Sequence, residues 1–269
     1  MPAPLTRFIL RHSVQPHGPV GLMYHSVQAG RNNPDWPWAV SKQQFADQLD
    51  YLAAEGYVTP TISELLSSTQ SWPARTALIT FDDGYADNLD ACAELHKRGM
   101  HATWFVVSGS VGRAPQWPDD GRPSGRLLNA SELRNMQTAG MEIGSHTVNH
   151  VRLTDVDDTS LMHELANSKA VLEDILGNAV NSFAYPYGAC DMRTVEAVKQ
   201  AGYRFACTTD TGWAMRDNDP YRIRRLTVFN HDSTSGFARK LAFASQEVSW
   251  GHVASYWAQL LKHKLMRSA

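Results

Sequence analysis

Cysteine is scarce in this chain: Cys92, Cys190 and Cys207 are its only three, odd in number and far apart. That spacing excludes a disulfide framework and a C-x-x-C metal knuckle. Charge of one sign is not in excess either. The formal net charge is -2, which leaves no electrostatic footprint for nucleic acid. No apolar run is long enough to span a bilayer, and Phe8-Ile9-Leu10, beside Arg7, Arg11 and His12, is too short for a signal-peptide core. Repeats and low-complexity tracts are missing as well. These absences predict a cytoplasmic or inner-membrane-associated protein. The mixed apolar and basic segment from Trp250 to Lys264 reads as a docked terminal helix, with peripheral contact to a membrane surface as the alternative.

What is present is 269 residues, 43% of them hydrophobic, enough for one large α/β barrel. Apolar runs end at Val20–His25, Ala77–Phe81, Ala102–Val107, Met141–Gly144, Ser182–Tyr185, Tyr203–Cys207 and Ile223–Phe229. Helical spacing recurs between them, and glycine stands at nearly every helix exit. Alternating strands and helices predict a parallel sheet or barrel. Ser41 and Gln44 have the spacing of a capping box at the first helix. The expected organisation is a lead-in over 1–18, a barrel over 19–232 and a helical extension over 233–269 packed on the barrel. Trp36 and Trp38 fall in a Pro- and Asn-rich loop, where packing is favoured over a platform for a sugar ring.

Four predicted strand ends carry polar residues: His25, Asp82-Asp83, His146 with His150, and Tyr185-Pro186-Tyr187-Gly188. In a parallel α/β fold the carboxyl ends of the strands converge, so these groups would meet. His146 and His150 are four apart, which on a helical turn puts both imidazoles on one face. Two imidazoles and one carboxylate leave coordination positions open, as catalytic metal sites do, and Asp83 is the natural third ligand. Adjacent acids in an extended strand point opposite ways, so Asp82 takes a different task, accepting a proton from water activated by the cation. Consecutive carboxylates also count against a glycosidase, whose two acids must flank the scissile bond several ångströms apart.

The segments TFDDGY, SHTVNH and YPYG resemble the first three motifs of the polysaccharide deacetylases, the NodB-homology family of carbohydrate esterase family 4. The resemblance spans roughly 18–230 and implies a distorted (β/α)7 barrel. It implies Asp82 as general base and Asp83, His146 and His150 as ligands of one divalent ion, zinc first, with cobalt, nickel or iron as alternatives. It also implies that the Tyr187 N–H helps form an oxyanion hole. Two departures stand out. The arginine that precedes Pro-Tyr in most members is Ala184 here, which leaves Arg222, Arg224 and Arg225 to orient Asp82, with Arg225 favoured. No Leu-x-His motif stands near the C-terminus. Leu22-Met23-Tyr24-His25 instead resembles the N-terminal motif of the poly-N-acetylglucosamine deacetylases, making His25 the expected general acid, ahead of His231. Asp210-Thr211-Gly212-Trp213 falls where the family has a fourth motif, so Trp213 is expected to line the acetyl pocket and Asp210 to help orient the base. The implied substrate is an N-acetylated glycan; a small amide or ureide, or a non-catalytic glycan-binding barrel, are the alternatives.

Overall fold

A computed structural model describes residues 1–3, 6, 10, 18–30, 34–68, 72–119, 121–249 and 251. Most of the expected lead-in and the basic segment after 251 lie outside the described residues. No helix among the described residues is long and apolar enough to cross a membrane.

Among the described residues, nine strands alternate with seven α-helices. They run β1 (Val20–Tyr24), β2 (Ser26–Gln28), β3 (Ala39–Ser41), α1 (Lys42–Ala54), α2 (Ile62–Ser67), β4 (Ala77–Phe81), α3 (Asn88–Lys97) and β5 (Thr103–Val106). Then follow α4 (Ala130–Thr138), β6 (Glu142–Ser145), α5 (Asp158–Leu176), β7 (Ser182–Ala184), α6 (Met192–Gln200), β8 (Phe205–Cys207), β9 (Leu226–Thr227) and α7 (Thr234–Phe243). Seven strands form one parallel sheet in the order β8-β7-β6-β5-β4-β1-β9. The sheet curls because the segment entering β9 also bridges its far edge, Cys207 pairing with Ile223. The expected seven-stranded NodB-type barrel is the fold found.

Strands β1 and β4 are buried at every residue, as expected where helices cover one face and strands close on the other. Alternation sorts their side chains. In β4, Ala77, Ile79 and Phe81 join the large core beneath the helices, while Leu78 joins a smaller interior cluster with Phe105, Ala184, Cys207 and Ile223. Ile62 and Leu65 of α2 close that cluster. Thr80 and Asp82 continue the inward set of β4, and Met23 and His25 continue that of β1.

Register brings these inward residues level. Tyr24 pairs with Phe81, and the Asp82 N–H donates to the Tyr24 carbonyl at 2.9 Å, so His25 and Asp82 leave adjacent strands together. Gly21 has a particular reason to lack a side chain. A Cβ there would meet the Arg224 carbonyl oxygen at 2.4 Å and Arg225 Cγ at 3.0 Å. Glycine therefore lets the Arg224-Arg225 backbone lie against β1.

Two local expectations need correction. Ser41 does cap α1, accepting from the Gln44 N–H, but the Gln44 amide reaches away to the carbonyls of Phe229 and Asp232. The loop before α1 also contains the short strand β3, paired with β2. Helix α7 follows β9, and Tyr51 on α1 meets Phe237 on α7 edge-to-face.

Candidate active site

A cavity of ≈420 Å³ opens at the carboxyl end of the barrel, and His25, Asp82, Asp83, His146, His150 and Tyr187 all line it. The structure thus brings together six of the residues singled out above.

The two adjacent carboxylates have opposite environments. Asp82 is buried and held by the fully buried Arg225, Nη1 to Oδ1 at 2.6 Å and Nη2 to Oδ2 at 2.9 Å. Arg225 is itself fixed by Nε donating to the Thr208 carbonyl and Nη1 to Thr80 Oγ1, both at 3.0 Å. Burial alone would raise the Asp82 carboxyl, but the guanidinium, with His146, holds it at about 2. The next residue leaves the strand with φ 72°, which swings Asp83 toward the histidines. Asp83 is equally buried, yet its Oδ1 has no hydrogen-bond partner. Burial and the neighbouring Asp82 charge push its carboxyl well above the usual range.

That unpartnered oxygen faces His146 Nε2 at 3.7 Å and His150 Nε2 at 3.4 Å. One ligand atom from each of the three residues lies within 4.8 Å of the others. The other nitrogen of each ring is engaged: His146 Nδ1 donates to the Ala184 carbonyl at 2.8 Å, and His150 Nδ1 lies 3.2 Å from the Tyr187 hydroxyl. The carbonyl contact fixes the His146 tautomer that leaves its Nε2 as a lone-pair donor, and the hydroxyl contact orients the His150 ring. Burial lowers both imidazoles, His150 to about 2, so both are neutral at ordinary pH.

The helical spacing expected for His146 and His150 is not how they meet. Residues 146–150 form a non-helical turn in which Thr147 (φ 69°) and His150 (φ 58°) are left-handed. The buried Glu164 of α5 holds that turn, accepting from the N–H groups of Val148 and Asn149 at 2.9 Å and from Asn149 Nδ2 at 2.6 Å. Sequence reading passed over Glu164; its signal was a carboxylate on the apolar stripe between Leu161 and Leu165. It also passed over Trp117, whose ring covers His150 at 4.6 Å, and Asp119, which accepts from Trp36 Nε1.

His25 lies half-buried on the opposite wall, edge-on to Trp36, with its Nδ1 buried and lacking a partner. Burial lowers its imidazole to about 4, against the upward pull of Asp82. Tyr187 stands at the cavity mouth, left-handed at φ 61°.

Other candidates fall elsewhere. His231 is exposed, stacked on Phe229 outside the cavity. Arg222 and Arg224 turn outward to Asp210 (3.7 Å) and Asp217 (2.7 Å), leaving only Arg225 of the three on Asp82. Asp210 is corrected as a base-orienting group, because its carboxylate is half exposed and only its carbonyl meets the Arg225 N–H. Trp213 is corrected as a pocket wall. The neighbouring Ala214 N–H bonds the Pro19 carbonyl at the amino end of β1, so this segment sits at the other end of the barrel, with Trp213 against the main core.

A family model described as polysaccharide deacetylase matches residues 69–206, about half the chain. The chain belongs to the polysaccharide deacetylases. A protein of Bacillus subtilis (strain 168) named for the same family, YxkH, is 31% identical over 220 residues, 80% of this chain and 73% of that one. The poly-beta-1,6-N-acetyl-D-glucosamine N-deacetylase of Staphylococcus aureus (strain MSSA476) is 24% identical over 203 residues, covering 71% of this chain and 68% of its own. Among solved structures, IcaB from Ammonifex degensii superposes with TM-score 0.69 at 28% identity, over 84% of this deacetylase and 97% of that chain. The Streptococcus pyogenes deacetylase PplD, solved with acetate, shares the fold at TM-score 0.72 and 24% identity, over 84% and 99% of the two chains.

Proposed function

We propose that this deacetylase is a metal-dependent N-deacetylase that releases acetate from an N-acetylated amino sugar of a glycan. The observation that carries the reading is the division of labour between two adjacent acids. Asp82 is locked by an arginine, and Asp83 turns an unpartnered oxygen toward two neutral imidazoles.

The residues present fit a divalent cation. A buried carboxylate oxygen without a partner and two imidazole Nε2 atoms form the O, N, N donor set that suits zinc, cobalt, nickel or iron. Asp83, His146 and His150 would hold it, and when bound it would acidify water and polarise the acetyl carbonyl.

The chain's own groups supply the remaining steps. Asp82, ionised and immobilised by Arg225, accepts a proton as the water oxygen bonds to the acetyl carbon. The Tyr187 N–H donates to the carbonyl oxygen as it gains negative charge, a contact worth about 3 kcal/mol. The C–N bond then breaks, and His25 hands a proton to the leaving nitrogen. Because burial keeps the resting ring neutral, His25 first takes up the proton that Asp82 accepted from water, so that after it passes to nitrogen Asp82 is again a carboxylate and His25 a neutral imidazole. Acetate and a free amine result. Among the described residues, the ionisable side chains lining the cavity are carboxylates, imidazoles and the Tyr187 phenol, with no lysine or arginine, which favours a glycan without anionic groups. The name of the staphylococcal relative agrees with an N-acetylglucosamine polymer.

The test is acetate release from N-acetylglucosamine oligomers by metal-loaded protein. Asp82→Asn should lower the rate by about 10³-fold while metal stays bound. Full activity in that variant would sink the assignment.

A further inference from the structure

The mouth of the cavity is built unevenly. Trp36 is 3% exposed, its ring packed against His25 and Tyr85 and its Nε1 donating to Asp119. That is a packing tryptophan. Trp38 also lines the cavity, yet keeps 37% of its surface exposed.

Trp38 is nonetheless held firmly. It lies between Trp36, at 5.5 Å, and Phe229, at 6.5 Å between centroids. Asn230 staples the loop beneath it, Nδ2 donating to the Pro34 carbonyl at 2.7 Å and its N–H to the Pro37 carbonyl at 2.9 Å. Phe229 is backed in turn by the buried Lys240, whose Nζ lies 5.1 Å from the ring and bonds Asp232 at 2.5 Å. A large apolar ring fixed in place but left open to solvent is a preorganised surface.

Beside His150 and Tyr187, a second hollow of ≈460 Å³ adjoins the first and shares Trp117, Pro118, His150 and Tyr187 with it, but neither Trp36 nor Trp38. The reacting position is thus flanked by space in two directions. A single sugar would leave Trp38 and this second hollow unused.

We propose that Trp38 is a stacking subsite for the sugar next to the reacting one, and that the cleft takes an internal residue of a glycan chain. The inference rests on the N-deacetylase reading and adds chain length as a determinant of specificity. Stacking on an indole face needs the apolar C–H face of a pyranose and tolerates either neighbouring linkage.

The experiment uses N-acetylglucosamine and its β-1,6- and β-1,4-linked oligomers of two to five units as probes. Acetate release is measured on the metal-loaded enzyme, and binding by calorimetry on metal-loaded Asp82→Asn protein. The wild-type kcat/KM should rise at least tenfold from one sugar to three and then level. Trp38→Ala should lose about tenfold on the trimer, chiefly in KM, and stay within twofold on the single sugar, whereas Trp38→Phe should keep most of the trimer rate. Equal activity of wild type on monomer and trimer, or an equal loss by Trp38→Ala on both, overturns the subsite. If no acetate is released from any probe, the N-deacetylase reading fails instead, and the binding arm still decides. Trimer must then bind Asp82→Asn protein more tightly than monomer and lose that preference in Asp82→Asn/Trp38→Ala; absence of a preference overturns the subsite.

Discussion

The two ends of the barrel handle buried polar groups in opposite ways. At the amino end, Glu142 at the start of β6 accepts from the Ser63 N–H at 3.0 Å, from Ser63 Oγ at 2.6 Å and from Thr103 Oγ1 at 2.9 Å. Thr103 Oγ1 in turn accepts from the Ile62 N–H. Around Glu142 donors and acceptors match and no described non-glycine residue has positive φ, although Ser182 Oγ at the start of β7 is buried without a partner. At the carboxyl end, His25 Nδ1, Asp83 Oδ1 and the Tyr85 hydroxyl are buried without partners. Four non-glycine residues there, Asp83, Thr147, His150 and Tyr187, have positive φ; Asn218 and Ala244 are the two found elsewhere among the described residues. Each such residue costs about 1–3 kcal/mol and persists only where its surroundings enforce it. The contrast separates polar groups that hold the fold from polar groups held by it.

The largest expected effect breaks the buried ion pair at the strained end. Arg225→Met would leave the Asp82 carboxylate buried without its counter-charge, which typically costs about 3–5 kcal/mol. Urea denaturation of the metal-free protein should show that loss, and acetate release should fall with it. Arg225→Lys, which keeps charge but not the paired geometry, should fall between the two. Wild-type stability in Arg225→Met would mean that Asp82 does not depend on this partner.

The next effect is acid sensitivity. The His25 imidazole is lowered from its ordinary value to about 4, so the folded state prefers the neutral ring. The unfolded chain takes up a proton near pH 6.5 and the folded chain does not, so this contribution is complete above pH 6.5 and declines as pH falls toward 4. The loss amounts to about 3 kcal/mol. Asp82, held at about 2, adds a loss only below pH 4. In metal-free protein, the difference in urea midpoint between pH 7 and pH 4.5 should shrink in His25→Gln. An unchanged difference would show that His25 is not buried neutral.

How much of this was legible beforehand depended on whether chemistry followed strand order. Asp82, Asp83, His25 and Arg225 were readable because each sits at or beside a strand end, and inward alternation carries His25, Asp82 and Arg225 into one space. The turn joining His146 to His150 was misread as helical, because a four-residue spacing has no marker for left-handed φ at Thr147. Trp213 and Asp210 were misplaced because a family motif was carried over a loop whose shortened path returns to the amino end of the barrel. Glu164 was invisible as a partner because it approaches from a helix in a different part of the chain.

Glu164 gives the third test. It makes three hydrogen bonds to the turn bearing His150, two from backbone N–H groups and one from the Asn149 side chain, which lines the second hollow. Glu164→Gln should weaken zinc binding by about 10–100-fold, measured by competition with a chelator. Unaltered affinity would show that the turn holds its strained geometry without the carboxylate.

The smallest effect is the control at the relaxed end. Glu142→Gln keeps the shape of the side chain and changes charge-assisted hydrogen bonds into neutral ones, with Ser63 and Thr103 still within reach. The expected cost is about 1 kcal/mol of stability. Because β6 lies between Glu142 at one end and His146 beyond the other, the substitution should leave zinc affinity and kcat/KM within about twofold of wild type, as a local change distant from a site usually does. A large loss of activity at unchanged stability would mean that the two ends are coupled along β6, and the division between a holding end and a held end would fail.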